Sequence, residues 1–469
     1  MMHARQFLFD QLSPIALFSK LKAFMGEEVN FLFESATSCE GNYSFVSIGA
    51  YETLRFHHGL TQHIDTQGVV HTLDESPFAF LKRYYAHADK AYYASMAKEL
   101  KIGYVDGFIG MIGYDAVQIF EPKLAASMAS LVDTLDIPDI DLIRPKFTLV
   151  FSHRDQKVTL LSPIESIAER FDAIEALLQE PYTPTPLHYH TCSDAGTFAF
   201  DKNQFFQMIE KSKAMIRSGD VFQILMANRY TQTCDVDAFS FYRTLRAKNP
   251  SPYMFLMEFA SYTLVGSSPE VMIRLRDNEI LLRPIAGTRK RGKTIARDKE
   301  LEIEMLQDPK ERSEHIMLVD LGRNDIGRVA QTGSVKVNAL MRVERYSHVM
   351  HMVSDVVGEL DTARFDMFDL FAATFTAGTM TGAPKFRAME LIAQFEGIKR
   401  SFYSGSIVYF GLDGNMDSAI TIRTALLKNG TITLQAGAGV VADSQPELEY
   451  LEVQNKLGAL MSSLQELSR

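Results

Sequence analysis

The pattern of apolar and polar positions changes about two fifths of the way along the chain. Before residue 180, short runs rich in aromatic and β-branched residues alternate with irregular polar spacers, which predicts strands over 30–33, 43–48, 107–114 and 147–151. The stretch that starts at Pro181 carries three prolines and no periodicity, which predicts a linker over 181–197. We therefore expect an N-terminal domain over 1–180 and a second domain over 198–469.

The second segment shows helical and strand periods in blocks. Apolar spacing predicts helices over 203–217, 308–321 and 384–395, with Asp308 as an N-cap and Gly397 as a C-terminal stop. Ser444 and Glu447 predict a capping box for a last helix. Strands are predicted at 221–227, 253–256, 263–265, 271–275, 279–282, 404–410, 418–427 and 431–440. Runs of strands with long helices at intervals predict an α+β fold of packed antiparallel sheets flanked by helices.

Composition narrows the class of protein. The 469 residues are 46% hydrophobic and 23% charged, with a net charge of −10, which is ordinary for a globular protein and unfavourable for binding nucleic acid. We see no run of about 20 apolar residues that could span a membrane. Cys39, Cys192 and Cys234 show no close pairing in sequence, which is typical of a reducing compartment. We therefore expect a cytoplasmic protein without a disulfide framework.

Two separated carboxylates, Glu314 and Glu452, are candidates for metal binding. Glu314 precedes the apolar run 316–321, and a helix that is apolar almost all round is expected to be buried. Two carboxylates with water and a substrate carboxylate would suit Mg²⁺. The alternative for Glu452 is a solvated ion pair with Lys456, four residues on.

Two further tracts leave their chemistry open. His348 and His351 have a spacing that could hold zinc, but a third ligand is not evident, and a hydrogen-bonded or acid–base histidine is the alternative. The tract from Gly378 to Lys385 lacks the spacing of a phosphate loop. A helix beginning at Pro384 could still offer N–H groups to a carboxylate, and a tight turn with a helix cap is the alternative.

Taken in order, these tracts resemble the chorismate-utilising enzymes. The resemblance covers roughly 198–460 and rests on Gly266-Ser-Ser-Pro-Glu270, Pro284-Ile-Ala-Gly-Thr288, the tract 314–325, Val349-Met-His351, the tract 378–385 and Gly437-Ala-Gly439. It implies that Mg²⁺, held by Glu314 and Glu452, binds the ring carboxylate of chorismate. It also implies a general acid, Glu270, for the departing 4-hydroxyl, with His351 near that leaving group. The positions that match chorismate contacts are Gly287, Thr288, Tyr403, Arg423, Gly437, Ala438 and Gly439.

Two positions discriminate within the family that the chain resembles. Isochorismate and salicylate synthases carry a lysine base where this chain has Gln223, and glutamine cannot deprotonate water. Aminodeoxychorismate synthases carry a nucleophilic lysine where this chain has Ala286. The chain therefore resembles the anthranilate synthases, in which ammonia attacks chorismate and pyruvate is then eliminated. The alternatives are component I of aminodeoxychorismate synthase and a non-catalytic chorismate or tryptophan sensor on the same fold.

The resemblance also implies partners and regulation. No cysteine lies in a Gly-x-Cys-x-Gly context, so we expect ammonia from a separate glutamine amidotransferase subunit, in a heterotetramer of two large and two small subunits. Phe33-Glu34-Ser35 and the tract 249–255 resemble the two walls of a tryptophan feedback site. Ser35, Pro252, Tyr253 and Met254 would then contact the inhibitor; core strands are the alternative.

Overall fold

The computed structural model describes residues 1–35, 43–346 and 349–468. Its N-terminal strands are β1 (His3–Leu8), β2 (Asn30–Glu34), β3 (Tyr43–His57), β4 (Leu60–Ile64), β5 (Val70–Leu73), β6 (Gly107–Ile112), β7 (Ile140–Ser152) and β8 (Lys157–Ser162). The later strands are β9 (Thr197–Phe198), β10 (Gln223–Thr233), β11 (Tyr253–Glu258), β12 (Thr263–Ser268), β13 (Val271–Arg276), β14 (Glu279–Leu282), β15 (Ile285–Lys290), β16 (Lys336–Arg345), β17 (Val349–Glu359), β18 (Gly382–Ala383), β19 (Ser406–Gly411), β20 (Met416–Ile420), β21 (Thr424–Lys428) and β22 (Thr431–Val440).

Helices flank these strands. They are α1 (Pro14–Met25), α2 (Pro77–Ala86), α3 (Lys90–Leu100), α4 (Val117–Phe120), α5 (Ala125–Met128), α6 (Glu165–Ala168), α7 (Phe171–Gln179), α8 (Lys202–Arg217), α9 (Ala238–Lys248), α10 (Ile295–Gln307), α11 (Pro309–Gly327), α12 (Met367–Thr374), α13 (Lys385–Glu396) and α14 (Pro446–Glu466). Single 3₁₀ turns lie at Tyr114–Ala116, Pro122–Leu124 and Gly378–Met380.

The strands form one branched, hydrogen-bonded network. The long strand β3 pairs with β2, β4 and β7. From β2 one branch runs through β11, β12, β21 and β22 to β10, and from β7 another runs through β6, β19, β20 and β13 to β14 and β17. Every pairing between these strands is antiparallel in the described part of the chain. The predicted α+β fold is confirmed.

The two segments predicted as domains share their sheets and their core. Strand β2 pairs with β11, and β6 pairs with β19, so strands from before and after the linker lie side by side. One hydrophobic cluster also spans both segments, from Phe9 to Leu467. The division into 1–180, 181–197 and 198–469 stays a prediction, and both sheet branches carry strands from each side of it.

Local start and stop signals differ in outcome. Asp308 caps α11 and accepts hydrogen bonds from two backbone N–H groups, at 2.9 and 3.2 Å, and Gly397 ends α13 at a φ of 63°. The predicted capping box of the last helix is wrong, because Gln445 is the N-cap of α14 and makes no side-chain cap. The expectation of a wholly buried run 316–321 is also wrong, since Ile316 is exposed while Leu318 and Val319 are buried.

The cysteines give a further correction. Cys192 and Cys234 are disulfide-bonded, with their Cα atoms 4.4 Å apart across 42 residues of sequence. The linker crosses the end of β10, and the two cysteines meet there in an antiparallel bridge. Spacing along the chain misses this pair because only the fold brings the linker to that strand. Among the described residues, no helix is long and apolar enough to cross a membrane.

Candidate active site

The side chain of Arg423 lies at the centre of the predicted site. It occupies the turn between β20 and β21 with a φ of 52°, a left-handed conformation that few residues other than glycine adopt. The guanidinium interacts electrostatically with Tyr403, Glu270 and Glu452, and it also acts on His351. Residues predicted from four separate tracts therefore surround one cation.

Glu270 is a buried acid beside this cation. It follows β12, its side chain accepts a hydrogen bond from the Thr379 hydroxyl at 2.9 Å, and its backbone carbonyl accepts one from Ile420 at 3.0 Å. Burial raises the pKa of the Glu270 carboxyl to about 7, against the opposing effects of Thr379, Arg423 and Lys456. A carboxylic acid with that pKa still holds its proton in a large fraction of molecules near neutral pH, as a general acid requires.

His351 is held opposite Thr288. The two residues pair between β17 and β15, and the Thr288 hydroxyl lies 3.0 Å from His351 Nδ1. Burial, with a smaller effect of the nearby Arg423, lowers the pKa of His351 to about 4, so the imidazole is neutral near pH 7. His348 lies outside the described residues, and His351 belongs to no metal-ligand cluster in the described ranges.

The turn at Gly287 needs glycine for two reasons. Its φ is +65°, and a Cβ atom there would lie 2.6 Å from Glu311 Oε2. The register between β15 and β17 also shifts between Ala286 and Thr288. A larger residue at this position would be strained by the positive φ and would require the end of the Glu311 side chain to move.

Glu314, Gln223 and Gly439 form a second group of contacts. Gln223 Nε2 donates to Glu314 Oε1 at 3.2 Å, and a Cβ atom on Gly439 would lie 2.7 Å from the same nitrogen. Burial raises the pKa of Glu314, and the charges of Glu311 and Glu452 raise it further. The Gln223 Oε1 atom is buried and finds no hydrogen-bond partner within the described ranges.

Lys456 connects Glu452 to the glycine-rich strand β22. Its ammonium lies 2.6 Å from Glu452 Oε1 and donates to the Gly437 carbonyl at 2.8 Å. Gly437 in turn faces Tyr403, since a Cβ atom there would lie 3.1 Å from the tyrosine oxygen. Ala438, between Gly437 and Gly439 in the same strand, is buried. The predicted ion pair of Glu452 with Lys456 is thus present, within the site.

The donor set fits a hard divalent cation. Glu314 and Glu452 are carboxylates close enough for their charges to interact, and Gln223 adds an unpartnered amide oxygen near Glu314. Mg²⁺ takes oxygen ligands and keeps several for water or substrate. A cation here would offset the repulsion that raises the pKa of Glu314.

A family model described as chorismate binding enzyme matches residues 29–462 of the chain. The chain belongs to the chorismate binding enzymes. It is 38% identical to anthranilate synthase component 1 of Aquifex aeolicus, over 98% of this chain and 94% of that protein. The same component of Geobacillus stearothermophilus is 37% identical, over 99% of this chain and 94% of the relative.

Solved structures give the same picture of the fold. Anthranilate synthase component I from Streptococcus pneumoniae superposes with a TM-score of 0.77 at 31% identity, covering 90% of this chain and 93% of that chain. The menaquinone-specific isochorismate synthase from Escherichia coli superposes with a TM-score of 0.72 at 21% identity, covering 99% and 95%. The likeness to the isochorismate synthase shows that this chorismate binding enzyme and that protein have the same fold.

A separate cavity contains the four residues predicted to contact tryptophan. Ser35, Pro252, Tyr253 and Met254 line a space of about 160 Å³, together with residues of β13, β19 and β20. The Ser35 hydroxyl oxygen is buried there, without a hydrogen-bond partner among the described residues. The cavity also contains charged groups that the sequence prediction missed: Arg274, Arg276 and Asp417.

Strands β20 and β11, which line the cavity, also connect it to Glu270. Asp417, Ser418 and Ala419 of β20 line the cavity, and the next residue, Ile420, donates its N–H to the Glu270 carbonyl. On the other side, Tyr253 of β11 pairs with Ser268 of β12, two residues before Glu270. In this chorismate binding enzyme, the lining of the predicted inhibitor site on β20 thus ends at the residue before Ile420, which contacts the predicted acid.

Sequence reasoning missed two supporting residues. Thr379 lies in the tract 378–385 but was not assigned to Glu270. Arg400, almost fully buried and paired with Glu396 at 2.5 Å, places its guanidinium 5.9 Å from the Tyr403 ring. The four-residue spacing of Glu396 and Arg400 across the end of α13 could have indicated this ion pair. Lys385 of the same tract is buried against Asp325 at 2.6 Å, so its charge is already paired.

Proposed function

We propose that this chain is the chorismate-converting subunit of an anthranilate synthase, which turns chorismate and ammonia into anthranilate, pyruvate and water. The observation that carries the proposal is the convergence of Glu270, His351 and Glu452 on Arg423, with Glu314 close enough to Glu452 for their charges to interact, in a chain that belongs to the chorismate binding enzymes. Full-length similarity to anthranilate synthase component 1 proteins supports the choice within that family.

The proposed chemistry begins at the 4-hydroxyl of chorismate. Ammonia adds at C2, the ring double bonds shift, and the C4–O bond breaks as Glu270 donates its proton, so that the hydroxyl leaves as water. The new ammonium group then loses one proton, which balances the proton that Glu270 has given up. The Thr379 hydroxyl donates a hydrogen bond to the Glu270 carboxyl group, which orients the group and stabilises its ionised form. Neutral His351, fixed by Thr288, lies beside this reaction as a hydrogen-bonding group. A later loss of pyruvate and a ring proton gives the aromatic product.

The substrate is a dianion and needs positive charge. Arg423 and Lys456 supply two cations in a partly buried site. Because Gly437 and Gly439 carry no side chain, the substrate could approach the backbone of β22 closely. Mg²⁺, when bound by Glu314 and Glu452, would bind the ring carboxylate as a Lewis acid. Gly287, Thr288, Tyr403 and Ala438 would shape the rest of the pocket.

The nucleophile follows from two side chains. Gln223 donates to Glu314 and is no base for water, and Ala286 offers no amine to the ring. Both features favour direct attack by ammonia. An isochorismate synthase would need a base at the first position, and an aminodeoxychorismate synthase of the lysine type would need an amine at the second.

The ammonia would come from a glutamine amidotransferase partner. Phe222, directly before Gln223, is 72% exposed, and its N–H donates to the Ala383 carbonyl. Phe386, three residues after Ala383, is 42% exposed. Exposed aromatic residues beside the site favour a protein partner at this position, where ammonia would be released next to Gln223. Two large and two small subunits remain the predicted assembly, and a cytoplasmic location remains the prediction from the sequence.

Tryptophan is the proposed feedback inhibitor. The cavity at Ser35 and Met254 offers aromatic and apolar walls for an indole ring, with a buried hydroxyl and the charged groups of Arg274 and Asp417 for the amino-acid end. Its β20 wall ends one residue before Ile420, whose N–H donates to the Glu270 carbonyl, and its β11 wall pairs with β12. Both walls therefore connect a bound ligand to the backbone of Glu270.

The deciding experiment uses the purified full chain with chorismate, Mg²⁺ and an ammonium salt, read by anthranilate fluorescence. Mg²⁺-dependent anthranilate formation is expected, with Glu270→Gln as the inactive reference. Accumulation of a non-aromatic aminated product would favour the aminodeoxychorismate synthase alternative. Binding of chorismate without turnover would favour the sensor.

A further inference from the structure

The bridge between the linker and the end of β10 brings three metal-binding side chains together. Ligand atoms of His190, Cys192 and Cys234 all lie within 4.8 Å of one another. His190 and Cys234 are buried, at 7% and 2% exposed, while Cys192 is half-buried and opens towards solvent. This group shares no residue with the proposed active site or the tryptophan cavity.

The backbone around these side chains is fixed from three directions. The His190 N–H donates to the Leu467 carbonyl at 2.9 Å, and the Ser193 N–H donates to the Thr233 carbonyl at 2.9 Å. The Cys234 N–H donates to the Gly430 carbonyl at 2.8 Å. The linker, strand β10, the turn before β22 and the C-terminus therefore hold the cluster in place without help from a bound ion.

The His190 ring has one nitrogen to spare. Its Nε2 atom lies 3.3 Å from the Ser468 hydroxyl, whereas Nδ1 is buried with no hydrogen-bond partner in the described part of the chain. A buried ring nitrogen without a partner loses free energy relative to water unless something occupies it. Metal-binding histidines commonly have this arrangement, with the second ring nitrogen held by a hydrogen bond that orients the ring.

We propose that, when the Cys192–Cys234 disulfide is reduced, these two thiolates and His190 Nδ1 bind a Zn²⁺-type ion, with water as the fourth ligand. Two thiolates and an imidazole are the donors that a borderline-soft tetrahedral ion prefers, and the open side at Cys192 admits the water. Binding releases the two thiol protons as the two Zn–S bonds form. The disulfide and the zinc complex are alternative states of the same pair.

The test begins with the full chain treated with a phosphine reductant. In that reaction water gives its oxygen to phosphorus and its two protons to the cysteine sulfurs, so no competing thiol is added. Co²⁺ is then titrated as a probe, and thiolate-to-cobalt charge-transfer absorption is recorded. One equivalent of Co²⁺ per chain should produce this band, and Zn²⁺ should remove it by displacement. The carboxylate site at Glu314 cannot give the same band, because it contains no sulfur.

Cys234→Ser and Cys192→Ser should each abolish the cobalt band, and Cys39→Ser is the matched control that should retain it. His190→Ala should weaken Co²⁺ binding by on the order of 10-fold or more. Zn²⁺ should also raise the melting temperature of the reduced wild-type chain, and this rise should vanish in Cys192→Ser. Circular dichroism of Cys192→Ser checks that the variant is folded. Turnover of the chorismate reaction should not change, because β10 places the cluster about 33 Å from Gln223.

Three results would each overturn the proposal: a reduced chain without the charge-transfer band, a band that survives in Cys234→Ser, or a pair that stays disulfide-bonded in excess reductant. Because activity is read separately, failure of this metal site leaves the proposed function untouched, and failure of the proposed function leaves the metal site testable.

Discussion

Replacement of Thr379 by valine isolates one contact of the proposed acid. The Thr379 hydroxyl donates to Glu270 at 2.9 Å and thereby stabilises the ionised carboxylate. A hydrogen bond to a charged group contributes about 1 kcal/mol more than one to a neutral group, and 1 kcal/mol corresponds to a pKa change of about 0.7. Loss of the hydroxyl should therefore raise the pKa of Glu270 above its value of about 7.

The sign of the pH dependence follows from the role of the acid. Glu270 must carry its proton, so kcat/KM should be full below pH 7 and should fall as pH rises through the pKa of the free enzyme. In Thr379→Val that basic limb should move to higher pH by about 0.7, because protonated Glu270 persists further. Activity at high pH, relative to the plateau, should thus increase even if the plateau itself drops.

The assay is ammonia-dependent anthranilate formation at saturating Mg²⁺, with the concentration of free NH₃ held constant across the pH series. Thr244→Val is the matched control, because Thr244 donates only to the carbonyl of Ser240 in its own helix, at 3.0 Å. A basic limb that stays in place, or that moves to lower pH, would refute the assignment of Glu270 as the acid tuned by Thr379. A limb that moves equally in Thr244→Val would show that the shift is nonspecific.

Three other changes test the remaining parts of the proposal. Glu314→Gln should reduce Mg²⁺-dependent kcat/KM by on the order of 100-fold or more, whereas the exposed Glu300→Gln should not; a Glu314→Gln enzyme with wild-type Mg²⁺ dependence would remove the metal assignment. Ser35→Phe fills the cavity of about 160 Å³ and should raise the half-inhibitory tryptophan concentration about 10-fold or more, since a lost contact of about 1.4 kcal/mol has that effect; unaltered inhibition would contradict the site. Phe222→Asp should impair the glutamine-dependent reaction with the partner while sparing the ammonia-dependent one, and Leu60→Asp, an exposed residue on β4, serves as control; equal loss in both reactions would argue against a docking role.

Short-range signals carried much of the fold. Asp308 and Gly397 marked the start of α11 and the end of α13 because a cap satisfies backbone groups of the neighbouring turn, and those groups are local. Strand β3 was predicted only over 43–48, yet it continues to His57. Its second half is stabilised by β4 and β7, partners that lie far away in sequence or beyond a turn, so its own apolar pattern understates its length.

The site divides in the same way. Glu270, His351, Arg423 and the glycines of β22 were named because each lies in a tract with a recognisable order of residues. The contact of Thr379 with Glu270 spans 109 residues, so only the folded chain reveals it. The Cys192–Cys234 pair and the exposed face of Ile316 were missed for the same reason, since burial and proximity depend on how distant segments pack.

The strands that connect the proposed tryptophan cavity with Glu270 restrict how the proposed feedback control could be lost in evolution. The β11 and β20 walls carry the backbone that holds Glu270, so a substitution that alters their pairing also disturbs the acid. The β2 wall, with Ser35 at its end, is one strand further from Glu270, because it pairs with β11 on one edge and with β3 on the other. Lineages or laboratory selections that escape inhibition while keeping full activity should therefore accumulate their changes on β2, whereas changes on the other two strands should come with a slower enzyme.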